Sequence, residues 1–122
     1  MTETLIVGGS SGIGRVIAER AAARGEGVWI TSRSTQRAND VAAEIGAGAR
    51  GVALDLAEPA SIEAALEPVK RLDHLVVTAI EQAALSLADF DLEQATRSLT
   101  VKLIGYAEVV RVLTTRFDQG GS

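Results

Sequence analysis

Cysteine is absent from the 122 residues, histidine occurs once and proline twice. Without cysteine there are no disulfides, no thiolate metal ligands and no cysteine nucleophile, and nothing hints at an oxidising destination. His74 alone cannot build a multi-histidine metal centre. Basic residues do not dominate either: twelve Lys and Arg stand against sixteen Asp and Glu, a net charge of −4. That balance excludes a generic nucleic-acid footprint. No apolar run approaches the roughly 20 residues of a membrane span. The N-terminus, Met1-Thr2-Glu3, is acidic and then strand-like rather than signal-like, so a cytoplasmic protein without a membrane partner is expected. The length suits one domain with a genuine core.

What is present is an alternation of short apolar runs with longer helical patterns, uninterrupted by linkers, repeats or low-complexity tracts. Thr4–Val7, Gly27–Thr31, Gly51–Leu54 and Leu75–Thr78 read as buried strands. Between the first two, Ile13, Val16, Ile17 and Ala21 recur at helical spacing up to a stop at Arg24-Gly25. Ser34 or Thr35 caps a helix through Ala38, Val41, Ala42 and Ile45, which ends at Gly46. Pro59 suits the first turn of a helix carrying Ile62, Ala65 and Leu66. From Asp91 to about Phe117 the pattern is helical again. This rhythm means βαβ units: an α/β fold, a parallel sheet with helices on both faces.

The long final helix carries two apolar sets. Leu92, Ala95, Leu99, Leu103, Tyr106, Val110, Leu113 and Phe117 form one continuous stripe, read as the face packed on the sheet. Val101, Gly105, Val109 and Val112 lie on a second face. Two such faces predict cover on both sides, by a partner subunit or by further chain. Trp29 and Tyr106 read as packing residues, and His74 as a strand-edge residue.

The chemistry concentrates in the loop Gly8-Gly9-Ser10-Ser11-Gly12-Ile13-Gly14. It follows a strand and opens a helix, the context that makes a glycine pattern informative. Glycines at 8, 12 and 14 let the backbone approach a pyrophosphate, and the helix N-terminus offers free N–H groups and a positive dipole end. Ser10 and Ser11 add hydroxyl donors. No Lys-Ser/Thr pair follows, so this is not a P-loop.

The spacing Gly8-x-x-x-Gly12-Ile13-Gly14 resembles the cofactor loop of the short-chain dehydrogenase/reductase family. Thr31-Ser32-Arg33, Asp55-Leu56, Val77-Thr78-Ala79-Ile80 and a helix bearing Lys102 follow in that family's order, so the resemblance spans the chain. It implies a Rossmann-like sheet of order 3-2-1-4 and a dinucleotide on the Gly8–Gly14 loop. Ser32 stands twenty residues after Gly12, with Arg33 beside it and no acid before Asp40. A guanidinium there accepts a 2′-phosphate that a carboxylate would repel. NADP(H) is therefore expected over NAD(H), with Ser32 and Ser34 as further donors. By the resemblance, Asp55 and Leu56 bracket the adenine; Asp55 is also placed to cap the following helix.

Three features depart from the family. Its usual Asn-Asn-Ala-Gly is here Val77-Thr78-Ala79-Ile80, so Thr78 keeps one donor while Ile80 lacks glycine's freedom. Lys102 stands where the family places a catalytic Asn, either as a substitute donor or as a snorkelling surface lysine. The family's serine and its Tyr-x-x-x-Lys pair have no counterpart: the one tyrosine is Tyr106, and four residues on stands Val110. Residues 1–122 thus read as one NAD(P)-binding Rossmann domain, incomplete at its C-terminus and truncated relative to the full family fold. The expectation is the cofactor-binding portion of an oxidoreductase for a carbonyl or alcohol substrate, inactive unless completed. The alternative is a non-catalytic nucleotide-binding module, a sensor or assembly unit. Gln119–Ser122 reads as the turn into another strand, and the fourth strand as an apolar edge that promotes self-association or completion by further polypeptide.

Overall fold

The computed structural model describes residues 1–80 and 86–122. Four parallel strands, β1 (Glu3–Val7), β2 (Gly27–Ser32), β3 (Arg50–Ala53) and β4 (His74–Val77), form one sheet of order β3-β2-β1-β4. Leu5 lies opposite both Trp29 and Leu75, and Thr31 opposite Val52. Successive strand residues point to opposite faces, so the apolar runs feed two cores. Ile6, Val28 and Ile30 pack against α1 (Gly12–Ala23) and α2 (Thr35–Ile45). Leu5, Val7, Trp29 and Val52 pack on the other side. There they meet a short α3 (Ile62–Ala65), entered through a 3₁₀ turn at Pro59–Ser61, and the long C-terminal helical segment.

Local chemistry explains most boundaries. Ser34 caps α2, its hydroxyl accepting from the Arg37 amide at 3.3 Å, and Gly46 ends the helix at φ +73°. Asp91 caps α4 (Leu92–Leu99), accepting from the Gln94 amide at 3.1 Å. The segment continues through a wider π-helical stretch, Thr100–Gly105, into α5 (Tyr106–Leu113).

Two inward faces differ from those that hydrophobic periodicity predicts. On α1 the buried positions are Gly14, Ala18, Ala21 and Ala22, while Ile13 is 75% and Val16 48% exposed. On α4–α5 the predicted sheet-facing stripe is largely solvent-facing: Leu92, Leu99, Leu103 and Val110 are exposed, and of that stripe only Leu113 is fully buried. The second set, Val101, Gly105, Val109 and Val112, faces the sheet instead. The reason is close approach. A Cβ on Gly105 would sit 2.5 Å from the carbonyl oxygen of Leu56, so the helix backbone crosses that loop where only glycine fits. The π-helical stretch spans this crossing, with Val101 and Gly105 buried while Leu99 and Leu103 are exposed.

β4 lies at the sheet edge, as expected, but its first half is not bare. Residues 116–122 run along it: Leu72 N–H donates to Arg116 O at 3.1 Å, Ser122 N–H to Asp73 O at 2.6 Å, and Leu75 N–H to Ser122 O at 2.7 Å. Arg71 anchors this tail through Asp118 at 2.5 Å. His74, exposed at the start of β4, contacts the Ser122 hydroxyl at 2.8 Å. Trp29 is a packing residue, with the Arg50 guanidinium 4.0 Å from its ring centre. No helix among the described residues is long and apolar enough to cross a membrane.

Candidate functional site

All four strands run the same way, so their carboxyl ends deliver four loops to one rim of the sheet. Strand order reverses beside β1, and such a switch point leaves a crevice. A cleft of about 930 Å³ opens there. It collects all fourteen residues singled out for cofactor contact: Gly8, Ser10, Ser11, Gly12, Ile13, Gly14, Ser32, Arg33, Ser34, Asp55, Leu56, Thr78, Ala79 and Ile80. Lys102 is exposed and does not line it. Val7, Thr31, Arg37, Leu54 and Val101 complete the wall.

The glycine loop is built by close approach. Gly8 takes φ +91°, and a Cβ on it would stand 2.6 Å from the Ala79 amide nitrogen. Its N–H donates to the hydroxyl of buried Thr31 at 3.1 Å, which ties the loop to the end of β2. Gly12 takes φ +55° and would point a Cβ into open space. Ser11 precedes α1 in extended conformation but makes no side-chain cap bond, and the first turn of α1 holds no acid. Early helix N–H groups lack intrahelical partners. That end of α1 is therefore a donor cluster facing the cleft, suited to an anion.

The opposite wall is cationic. Arg33 and Arg37 both line the cleft, and among the described residues neither meets a carboxylate. Arg37 Nη2 donates to the carbonyl of Ser10 at 3.1 Å, linking α2 to the glycine loop. Among the described residues lining the cleft, Asp55 is the sole carboxylate. One of its oxygens, Oδ1, accepts from the Ala57 amide at 2.9 Å and lies 3.8 Å from Arg97 Nη2. Asp55 thus caps the turn through Oδ1.

After β4, the Thr78 hydroxyl donates to the Val7 carbonyl at 3.2 Å, so its donor closes the seam between β1 and β4. Tyr106 donates its phenolic proton to the Ala79 carbonyl. No positive φ is found at Ile80, where the backbone needs no glycine, and its side chain is exposed.

Arg37, Thr31 and Tyr106 had carried no expectation of site contact. Arg37 lies four residues after Arg33, in the first turn of a capped helix, a signal present in the sequence. The partners of Thr31 and Tyr106 lie 23 and 27 residues away and left no local trace. Among the described residues no group of three or more His, Asp or Glu could hold a metal ion.

Comparison with known proteins agrees with this geometry. The family model described as short chain dehydrogenase matches residues 2–122. The 3-oxoacyl-[acyl-carrier-protein] reductase FabG of Escherichia coli is 44% identical over 66 residues, covering 54% of this chain and 27% of that protein. The 3-hydroxyacyl-CoA dehydrogenase type-2 of Drosophila melanogaster is 31% identical over 119 residues, covering 89% of this chain and 47% of its own length. A short chain dehydrogenase from Burkholderia cenocepacia, solved in complex with NADP, superposes with a TM-score of 0.87 at 34% identity, covering 98% of this chain and 52% of that one. A 3-ketoacyl-(acyl-carrier-protein) reductase from Brucella melitensis, complexed with NADH, gives 0.78 at 32% identity, over 94% and 49%. The chain spans about half the length of these solved relatives. It belongs to the short-chain dehydrogenase family.

Proposed function

We propose that the chain is the NADP(H)-binding portion of an oxidoreductase that moves hydride between nicotinamide and a carbonyl or alcohol substrate. The observation that carries this is the cleft itself, in which an uncapped helix N-terminus faces one way and two arginines, without carboxylate partners among the described residues, face the other. The glycine loop and α1 hold the diphosphate, Arg33 meets the 2′-phosphate, and the Asp55 carboxylate accepts from the adenine amine beside Leu56. Relatives solved with NADP or NADH support a nicotinamide dinucleotide as the ligand, and Arg33 supports the preference for NADP(H).

When bound, the nicotinamide supplies or accepts the hydride. These 122 residues hold no Tyr-x-x-x-Lys pair, and Tyr106 is engaged with Ala79. Proton transfer to the substrate oxygen therefore needs groups from other polypeptide, and Lys102, outside the cleft, does not replace them. By itself the chain binds dinucleotide without turnover.

Calorimetric titration with NADPH, NADH and ATP tests the reading. NADPH binds best, and Arg33→Ala lowers its affinity about 10- to 100-fold with little effect on NADH, the loss of a charge-assisted phosphate contact. Equal indifference to all three nucleotides, or carbonyl reduction by this chain alone, would overturn it.

A further inference from the structure

Arg37 occupies a place that helix stability does not explain. It sits in the first turn of α2, where the dipole disfavours a cation, and among the described residues it has no carboxylate partner. Its guanidinium instead reaches across to the glycine loop and holds the Ser10 carbonyl at 3.1 Å. Ser10 is buried and lines the cleft. A carbonyl free to turn into an anion site would repel the anion.

We propose that Arg37 is a positioning residue for the anion-binding loop, acting through the Ser10 carbonyl on the donors of Ser11 and Gly12. The Ser10–Ser11 peptide bond is trans, so the Ser10 carbonyl and the Ser11 N–H point in opposite directions. Fixing the carbonyl toward α2 fixes the Ser11 N–H away from it. The Arg37 backbone is itself held, its N–H bound to the Ser34 hydroxyl that caps α2. The end of β2 thus sets the geometry of the loop after β1. This rests on the dinucleotide reading, but assigns Arg37 a role different from that of Arg33. Arg33 discriminates the 2′-phosphate, whereas Arg37 serves the diphosphate common to both nicotinamide dinucleotides.

The test compares NADPH and NADH dissociation constants for the unaltered chain, Arg33→Ala, Arg37→Ala and Arg37→Lys, together with amide ¹H–¹⁵N spectra of the ligand-free proteins. Arg37→Ala is expected to weaken both ligands by the same factor, about three- to tenfold, the net worth of one hydrogen bond. Arg37→Lys should recover most of that loss, while Arg33→Ala affects NADPH alone. Without ligand, Arg37→Ala should move the Ser11 and Gly12 amide resonances and leave Ala21 in place. A loss confined to NADPH would make Arg37 a phosphate ligand and overturn the proposal. Unchanged affinities with unmoved Ser11 and Gly12 amides would overturn it as well. If the unaltered chain binds neither dinucleotide, the proposed function fails, and the Ser11 and Gly12 shifts still decide the role of Arg37. Should Arg37→Ala not fold, Arg37→Met, which keeps the aliphatic stem without a donor, provides the same comparison of amides.

Discussion

Gly14 and Gly8 touch backbone to backbone: a Cβ on Gly14 would overlap the Gly8 carbonyl oxygen and the Thr78 hydroxyl together. The first turn of α1 is thereby pressed onto the end of β1 and the loop after β4. Gly14→Ala should destabilise the chain by about 1–3 kcal/mol, because a carbonyl cannot yield as a flexible side chain would. It should also weaken dinucleotide binding. Gly12→Ala meets no atom and should cost only the left-handed backbone strain, about 1–2 kcal/mol. Urea denaturation and calorimetry on both variants separate the two effects.

Tyr106→Phe removes the donor to the Ala79 carbonyl. The expected cost is about 1 kcal/mol, since the ring still packs. Faster hydrogen exchange at Thr78 and Ala79 should accompany it. Unchanged exchange would mean that this loop is held by Thr78 and the β1 seam alone.

The inverted faces of the C-terminal segment give a direct comparison. Val109 is fully buried and Leu103 is 68% exposed. Val109→Ala should lower stability by about 2 kcal/mol. Leu103→Ser, the larger apolar loss on paper, should stay within about 0.5 kcal/mol. The reverse order in chemical denaturation would restore the face that periodicity favours.

Glu26 offers a pH-dependent test. Burial works against its charged form, but the Thr4 hydroxyl at 2.8 Å and Arg24 at 2.9 Å outweigh it and hold the carboxyl below its ordinary value. A carboxylate depressed in the folded state stabilises fully above its unfolded pKa and loses that contribution as pH falls through the folded one. Glu26→Gln should therefore be the less stable protein at pH 7, by roughly 0.5–1 kcal/mol. The gap should close as pH falls below the carboxylate range. A difference independent of pH would remove the electrostatic account.

The parts of the fold and the cleft that were legible share one property: their cause is local. Gly8, Gly12 and Gly14 interrupt an apolar run at a spacing that a strand-to-helix turn demands. Ser34, Gly46 and Asp91 cap or end helices through partners within four residues. The glycine loop, Arg33 and Asp55 each follow a strand, and a parallel sheet brings all strand ends to one rim. Their convergence in one cleft is thus implied by chain order alone.

What could not be read depends on distances between separate elements. Periodicity weighs a side chain by its hydrophobicity, and so it turned Ile13, Leu99 and Leu103 inward. Packing weighs it also by size. Where α1 crosses Gly8, and where the π-helical stretch crosses Leu56, the backbones come too close for anything but glycine, with alanine and valine beside it. The pairing of Arg37 with Ser10, of Tyr106 with Ala79 and of the 116–122 tail with β4 joins residues 27 or more positions apart. The parallel sheet, the glycine loop and the place of Arg33 at the rim follow from local pattern and chain direction. Which helix faces lie inward, and which side chains hold the loops, follow from how closely the backbones pack.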